Sequence, residues 1–518
     1  VALRCGAVGN TAAQEIAAGY ATEGEALELG TVVIDGTVDP TARVRIPFAT
    51  LNRHGLVAGA TGTGKTKTLQ GLAEQLSDAG VPVLLADVKS DLSGMARPGE
   101  PGPKIQARAA DTGDDWQPTG YPVEFLTLGG SSSAIPIRAT LTQFGPILLS
   151  KVLDLNDTQE STLGLIFHWA DKQGLPLLDT KDLRAVIQHL LSDEGKADLK
   201  GIGGVSAATA GVILRALVNL EAAGGEDFFG EPEFDPADLM RVVDGKGVIS
   251  LLELADQAGN PRLFSTFLMW LLAELYETLP EAGDLDKPKL VFFFDEAHLL
   301  FNGASKAFRE RIEQTVKLIR SKGVGVFFCT QLPTDIPNSV LSQLGARIQH
   351  ALRAFTPEDQ AALAKTVKTY PTTKHYDLEE ALTTLGTGEA IVTVLSERGA
   401  PTPVAWARMR APRSLMAAIP PEEVSAAAKA SPLYAKYGQT IDRESAYEKL
   451  TAKIAEAPPP APAPVDAPPP PPAPRQEKPE PNVIAEVLGS PVVKSFLRSA
   501  ASALGREITR GLFGTRRR

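Results

Sequence analysis

The sequence predicts an α/β fold with a mostly parallel central sheet. Three observations carry that expectation. A short apolar run, Leu56-Val57-Ala58, leads through a glycine-rich loop into a helix-periodic segment and on to a second run, Val83-Leu84-Leu85-Ala86. Far downstream, Leu290-Val291-Phe292-Phe293-Phe294 is continuously apolar and closes on Asp295-Glu296. Val324-Gly325-Val326-Phe327-Phe328-Cys329 follows and closes on Thr330-Gln331. Runs without polar alternation suit strands covered on both faces, as strands of parallel sheets are.

The glycine-rich loop is Gly59-Ala60-Thr61-Gly62-Thr63-Gly64-Lys65-Thr66. It fits the phosphate-binding pattern G-x-x-x-x-G-K-[ST] at each fixed position. Glycines let successive backbone N–H groups curl around phosphate oxygens with no Cβ in the way. Lys65 would carry its charge to the β- and γ-phosphates, and the Thr66 hydroxyl would face Mg²⁺. The helix that opens here adds the positive end of its dipole. Leu69, Leu72, Ala73 and Leu76 mark one face of that helix, which stops at Ala79-Gly80 before Pro82. A surface turn rich in Gly and Thr would not be followed by this strand–loop–helix–strand setting, so the residues point to binding of ATP or a similar nucleotide.

The Asp295-Glu296 pair supplies the second half of such a site. The aspartate would hold Mg²⁺ and the glutamate would polarise an attacking water. A phosphotransferase acting on a small molecule has no need of that water activator, so Glu296 favours hydrolysis. Gln331, at the tip of the following strand, reads as a sensor of the γ-phosphate, or else as a polar strand end. The two halves, far apart in sequence, are expected to meet at adjacent strand tips.

Taken in order, residues 1–50 hold two strands, Ala26 to Ile34 and Val44 to Ile46, that lean on the core sheet. Residues 51–140 carry the phosphate-loop half. There Asp87 or Asp91 could approach the metal, or could serve as a turn carboxylate. Gly94 to Gly120 reads as a loop, and Val123 to Leu128 as a strand. Residues 141–245 form a helical insertion in which His168 and His189 stand isolated. Residues 246–412 carry the other half, with the helix Pro261 to Leu279 and a closing hairpin, Ala390 to Leu395 with Pro403 to Ala407. A helical extension covers 413–455. The Pro/Ala-rich stretch 456–481 cannot bury a core and reads as a disordered linker. Residues 482–518 regain helical periodicity and end in Arg516-Arg517-Arg518, an amphipathic, basic-ended helix expected to dock on a neighbouring subunit or partner.

Composition narrows the function. The 518 residues are 43% hydrophobic and carry a net charge of −10, so the chain is no polycation; DNA would need a local basic surface or a ring pore. Its two cysteines, Cys5 and Cys329, offer no zinc spacing or disulfide framework, which suits the cytoplasm. No apolar run approaches the roughly 20 residues of a membrane span, and no secretion signal is evident at the N-terminus.

The stretch from Asn52 to Thr66, together with Phe294-Asp295-Glu296-Ala297-His298 and Thr330-Gln331-Leu332-Pro333, resembles the bacterial HerA-like ATPases of the HerA/FtsK superfamily. The resemblance covers about residues 40–410. It implies a RecA-like P-loop NTPase core, Mg²⁺-dependent ATP hydrolysis at subunit interfaces, and a hexameric ring around DNA. It also implies an arginine after the acidic strand that reaches a neighbour's site. Arg320 occupies that place, with Arg347 as second candidate; a planar, permanently charged guanidinium suits the transferred phosphoryl. HerA motors carry a β-barrel ahead of the core, for which about 50 residues are present here. The competing expectation is a nucleotide-switched scaffold that does not move on DNA.

Overall fold

The computed structural model describes residues 11–129, 133–199, 203–254, 261–283, 285–301 and 306–456. The chain divides into two units, Val1–Glu456 and Ala457–Arg518. The predicted C-terminal helix and nearly all of the proline-rich linker belong to the second, outside the described residues.

Twelve strands join in one sheet. In chain order they are β1 (Ala26–Ile34), β2 (Thr37–Pro47), β3 (Gly55–Ala58), β4 (Val83–Asp87), β5 (Val123–Leu128) and β6 (Ile135–Ile137). After a small separate hairpin of β7 (Val242–Val243) and β8 (Lys246–Gly247) come β9 (Ile249–Glu253), β10 (Leu290–Phe294), β11 (Val324–Thr330), β12 (Ala346–Gln349), β13 (Glu389–Thr393) and β14 (Ala405–Met409). Their spatial order is β2-β1-β14-β13-β12-β3-β11-β10-β4-β9-β5-β6. From β12 to β6 neighbouring strands are parallel; from β12 back to β2 they are antiparallel. The predicted closing hairpin is therefore β13–β14, and the N-terminal strands extend the same sheet through β1–β14 pairing.

Successive side chains of a strand face opposite layers. In β10, Leu290, Phe292 and Phe294 enter one apolar cluster, while Val291 and Phe293 enter another. Phe292, Phe293 and Phe294 are all buried. Each contributes about 1.5–3 kcal/mol by leaving water, which is why this run tolerates no polar alternation. The helix Lys65–Asp78 covers one face with Leu69, Leu72, Ala73 and Leu76. The opposite face is covered by Pro261–Thr278, Lys306–Ile319 and the helical insertion. Trp270 and Tyr276 pack there, as expected of core aromatics.

Two local expectations need correction. The stretch read as a loop contains the helix Pro103–Thr112. Its Pro103 suits the first helical turn and its alanines are strong helix formers, yet only Thr112 is buried, so no apolar periodicity announces it. The strand tips that carry the two halves of the site are not adjacent either. Strand β11 lies between β3 and β10, paired in parallel with both.

The chain leaving β14 is tied to the helix Lys65–Asp78 by a buried carboxylate. Glu74 accepts hydrogen bonds from Arg413 N (2.8 Å), Ser414 N (3.0 Å) and the Ser414 hydroxyl (2.5 Å). Burial raises its pKa above the usual carboxylate range, and these three donors oppose that rise.

Candidate nucleotide site

Eight neighbouring strands are parallel, so β3, β4, β10, β11 and β12 deliver their carboxyl ends to one edge of the sheet. Open α/β sheets bind ligands at that edge. Strand β13 runs antiparallel to β12, so its amino end, preceded by Thr387-Gly388, arrives at the same edge. A cleft of about 280 Å³ opens there, lined by Thr61, Gly62, Gly64, Lys65, Thr66, Lys67, Lys89, Asp91, Asp295, Glu296 and Thr387.

The loop is braced from below. Gly59 N donates to Thr330 O (3.2 Å) and Ala60 N to Ala351 O (2.9 Å), while Gly388 N donates to Thr63 O (2.9 Å). Gly59, Gly62 and Gly64 have φ of 150°, 79° and 117°, conformations open to glycine and strained for other residues. Thr68 N closes on Gly64 O, so the amides of Lys65, Thr66 and Lys67 precede the first helical hydrogen bond and face an incoming anion. Lys65 Nζ donates to Gly59 O (2.6 Å) and Ala60 O (3.2 Å), folding its charge over the loop. Gly59, Ala60 and Thr63 belong to the brace, not to the lining.

Asp295 and Glu296 stand across the cleft. Burial, then the Glu296 charge, pushes the Asp295 pKa up to about 6; the Glu296 amide (2.9 Å), the Cys329 thiol and Lys89 oppose the rise. Glu296 has φ 49°, a left-handed conformation that costs a non-glycine residue about 1–2 kcal/mol. Its Oε2 lies 3.3 Å from His298 Nδ1, and no aligned hydrogen-bond donor serves that buried oxygen among the described residues.

Asp87 and Asp91 separate in role. Asp87 is buried and accepts the amides of Lys89 (3.1 Å) and Leu92 (2.8 Å), a turn carboxylate. Asp91 lines the cleft. Gln331 is exposed and outside the lining; its neighbour Thr330 is buried, with its hydroxyl on Asp335 (2.7 Å). Arg320 is exposed at the amino end of β11, the opposite edge of the sheet from its own cleft. Arg347 is spent within the chain, donating to Thr369 O (2.9 Å).

Several contributors were not singled out from the sequence. Lys89 lies between Asp87 and Asp91 in the sequence and lines the cleft. Thr387 comes from the turn before an antiparallel strand, which no phosphate-loop pattern includes. Arg353 Nη2 donates to Thr61 O (3.3 Å). His350 lies buried beneath the loop: its Nδ1–H donates to Glu389 O (2.8 Å), leaving Nε2 to accept the Thr68 hydroxyl (3.0 Å). Burial lowers its pKa to about 4, so the ring is neutral at pH 7.

A larger cleft, about 1040 Å³, lies beside Gly80, Pro82, Lys287 and Lys289. It sits at the carboxyl end of the helix Lys65–Asp78, where the helix dipole disfavours anions, and it holds none of the residues above.

Comparison with known proteins agrees with this geometry. Residues 34–518 match the profile of the family described as helicase HerA-like C-terminal. The chain belongs to that family. It is a nucleotide-hydrolysing P-loop ATPase of HerA/FtsK type with a RecA-like core. Among solved structures, the unbound bacterial conjugative coupling protein TrwB aligns with a TM-score of 0.52 at 15% identity, over 79% of this chain and 94% of that one. TrwB with a non-hydrolysable ATP analogue gives a TM-score of 0.51 at 15% identity over the same shares, 79% and 94%. TrwB with ADP and Mg²⁺ gives 0.50 at 14% identity, over 77% of this chain and 98% of that one. These likenesses speak for the shared fold. A search of curated proteins finds no match.

Proposed function

We propose that this HerA-family ATPase works as a ring, with Mg²⁺-dependent ATP hydrolysis at subunit interfaces driving movement on DNA. The observation that carries the reading is the convergence of loop amides, Lys65, Thr66, Asp295 and Glu296 on one cleft. The donor set fits a metal-bound triphosphate. One hydroxyl and one or two carboxylates are what Mg²⁺ takes from protein when phosphates and waters complete its shell. Consistently, no cluster of three His, Cys, Asp or Glu residues able to hold a metal alone occurs among the described residues. When bound, Mg²⁺ would neutralise charge on the phosphates, held by Thr66 and Asp295. TrwB, with the same fold, has been seen with an ATP analogue and with ADP and Mg²⁺.

Within that reading Lys65 leaves the Gly59 and Ala60 carbonyls for the phosphates, and Glu296 orients the attacking water. Gln331 senses the γ-phosphate at the rim. Arg320, far from its own cleft, serves a neighbour's site. Replacing Lys65 by Ala should abolish ATP binding and turnover; retained turnover would sink the site. Arg320→Ala should cut turnover at least a hundredfold with ATP binding intact, and mixing it with Glu296→Gln chains should restore measurable turnover if the two residues complete a shared site. Unchanged turnover in Arg320→Ala would remove the finger assignment.

The net charge of −10 favours a second reading, a nucleotide-switched scaffold that does not translocate. ATPase rates with and without double-stranded DNA at low and moderate salt separate the two. Stimulation that weakens with salt supports the motor, because phosphate contacts release counterions; its absence supports the scaffold. No helix among the described residues is long and apolar enough to cross a membrane.

A further inference from the structure

We propose that Arg108 is a positioning residue for the nucleotide, holding the turn Thr387-Gly388 in place as a wall of the phosphate-loop cleft. Arg108 belongs to the helix Pro103–Thr112 and is half-buried. Its Nη1 donates to Gly388 O (2.9 Å) and Met409 O (3.3 Å), and its Nη2 donates to Thr387 O (3.1 Å). A planar guanidinium presents its donors as a rigid fork, so one side chain fixes three carbonyls in one geometry. The nearby carboxylates do not compete for it. Asp111 and Glu389 are held by Arg408 (2.6 and 3.0 Å). The fork of Arg108 is spent on backbone carbonyls, two of them in the turn.

The other side of the turn is pressed against the phosphate loop. Gly388 N donates to Thr63 O (2.9 Å). A Cβ on Gly64 would stand 3.1 Å from Gly388 N and 3.2 Å from Gly388 Cα, so the two backbones meet with no room for a side chain between them. A Cβ on Gly388 would stand 3.3 Å from both terminal nitrogens of Arg108. Gly388, at φ 74°, is thus gripped between the guanidinium and the loop. Its neighbour Thr387 lines the cleft itself, beside Gly64, Lys65 and Thr66. A shift of the turn would reach both the cleft wall and the loop at Thr63 and Gly64.

Strand order says which part of the reaction this serves. The turn leads into β13, whereas Asp295 and Glu296 follow β10, and these two strands lie on opposite sides of β3 in the sheet. Arg108 therefore acts on the wall and the loop that receive the nucleotide, and makes no contact with the acidic pair. An interaction of that kind stabilises bound substrate and transition state alike, so its loss raises KM and leaves kcat nearly unchanged.

This inference rests on ATP occupying the phosphate-loop cleft, and steady-state ATPase kinetics on the full chain keep the two apart. Arg108→Ala should raise KM for ATP about tenfold with kcat within about threefold of the parent, as displacement of a positioning group does when the reacting groups stay in place. Arg108→Lys keeps the charge without the fork, and should remain at least about threefold above the parent KM. It also carries the test should the alanine variant not fold. Lys104→Ala, an exposed change on the same helix, should match the parent. A parent KM in Arg108→Ala overturns the proposal while the ATPase assignment stands. A parent KM in Arg108→Lys overturns it too, because charge alone would then be the cause. A fall in kcat at unchanged KM would tie Arg108 to the chemical step and also overturn it. A parent chain that neither binds nor hydrolyses ATP would instead remove the assignment of the cleft, and this inference with it.

Discussion

Glu296→Gln should bind ATP about as well as the parent chain and hydrolyse it at least a hundredfold more slowly. The side chains are nearly isosteric, so the loop, the cleft and the left-handed backbone at φ 49° need not change. What changes is the charge on a side chain that lines the cleft. A carboxylate there draws a proton from water as the oxygen attacks phosphorus; a neutral amide neither attracts that proton nor holds its charge. Removing a water-positioning residue in phosphoryl transfer acts on the transition state and spares the ground state, so kcat should fall while affinity holds. Measured together, single-turnover phosphate release and binding of a non-hydrolysable analogue check the split. Turnover near the parent rate would move the water activator elsewhere; a matching loss of affinity would mean that the substitution had damaged the cleft.

Gly59→Ala should destabilise the chain by about 2–5 kcal/mol and lose nucleotide binding, although Gly59 lines no part of the cleft. The new Cβ would stand 2.6 Å from His350 Cβ and 3.0 Å from the Thr63 hydroxyl oxygen. It would also force a side chain into φ 150°, a region that glycine alone visits freely. His350 cannot give way cheaply, because its ring is fixed at both nitrogens by Glu389 O and Thr68. The strain must then pass into the loop, moving the amides that face the phosphates. Thermal unfolding and ATP affinity measured on the same preparation test this. Gly62→Ala is the comparison: its Cβ would meet nothing within 4 Å, so it carries only the strain of φ 79° and should cost much less stability.

What the sequence alone determined is the phosphate-loop pattern and its strand context. The residues Gly59 to Thr66, Asp295 and Glu296 were legible because the phosphate-loop pattern sets glycines, a lysine and a hydroxyl at a fixed local spacing, and because a buried parallel strand is apolar from end to end. The continuous runs at 290–294 and 324–329 are short and rich in Val and Phe, as buried strands are, and both are strands of the sheet. Local constraints of this kind are written within ten residues of chain.

Only the tertiary structure decided how those pieces are disposed. The insertion of β11 between β3 and β10 is a matter of strand order, and no local pattern encodes which parallel strand neighbours which. Thr387, Arg353 and His350 join the site because β12 and the antiparallel β13 end at the same sheet edge; their side chains carry no spacing relative to the phosphate loop. The helix Pro103–Thr112 escaped notice for a related reason, since a helix with one buried residue leaves no apolar stripe to read. The division of labour between Asp87 and Asp91 was settled by which carboxylate the backbone amides of the turn captured. Burial and hydrogen bonding across distant segments select among side chains that the sequence presents as equals.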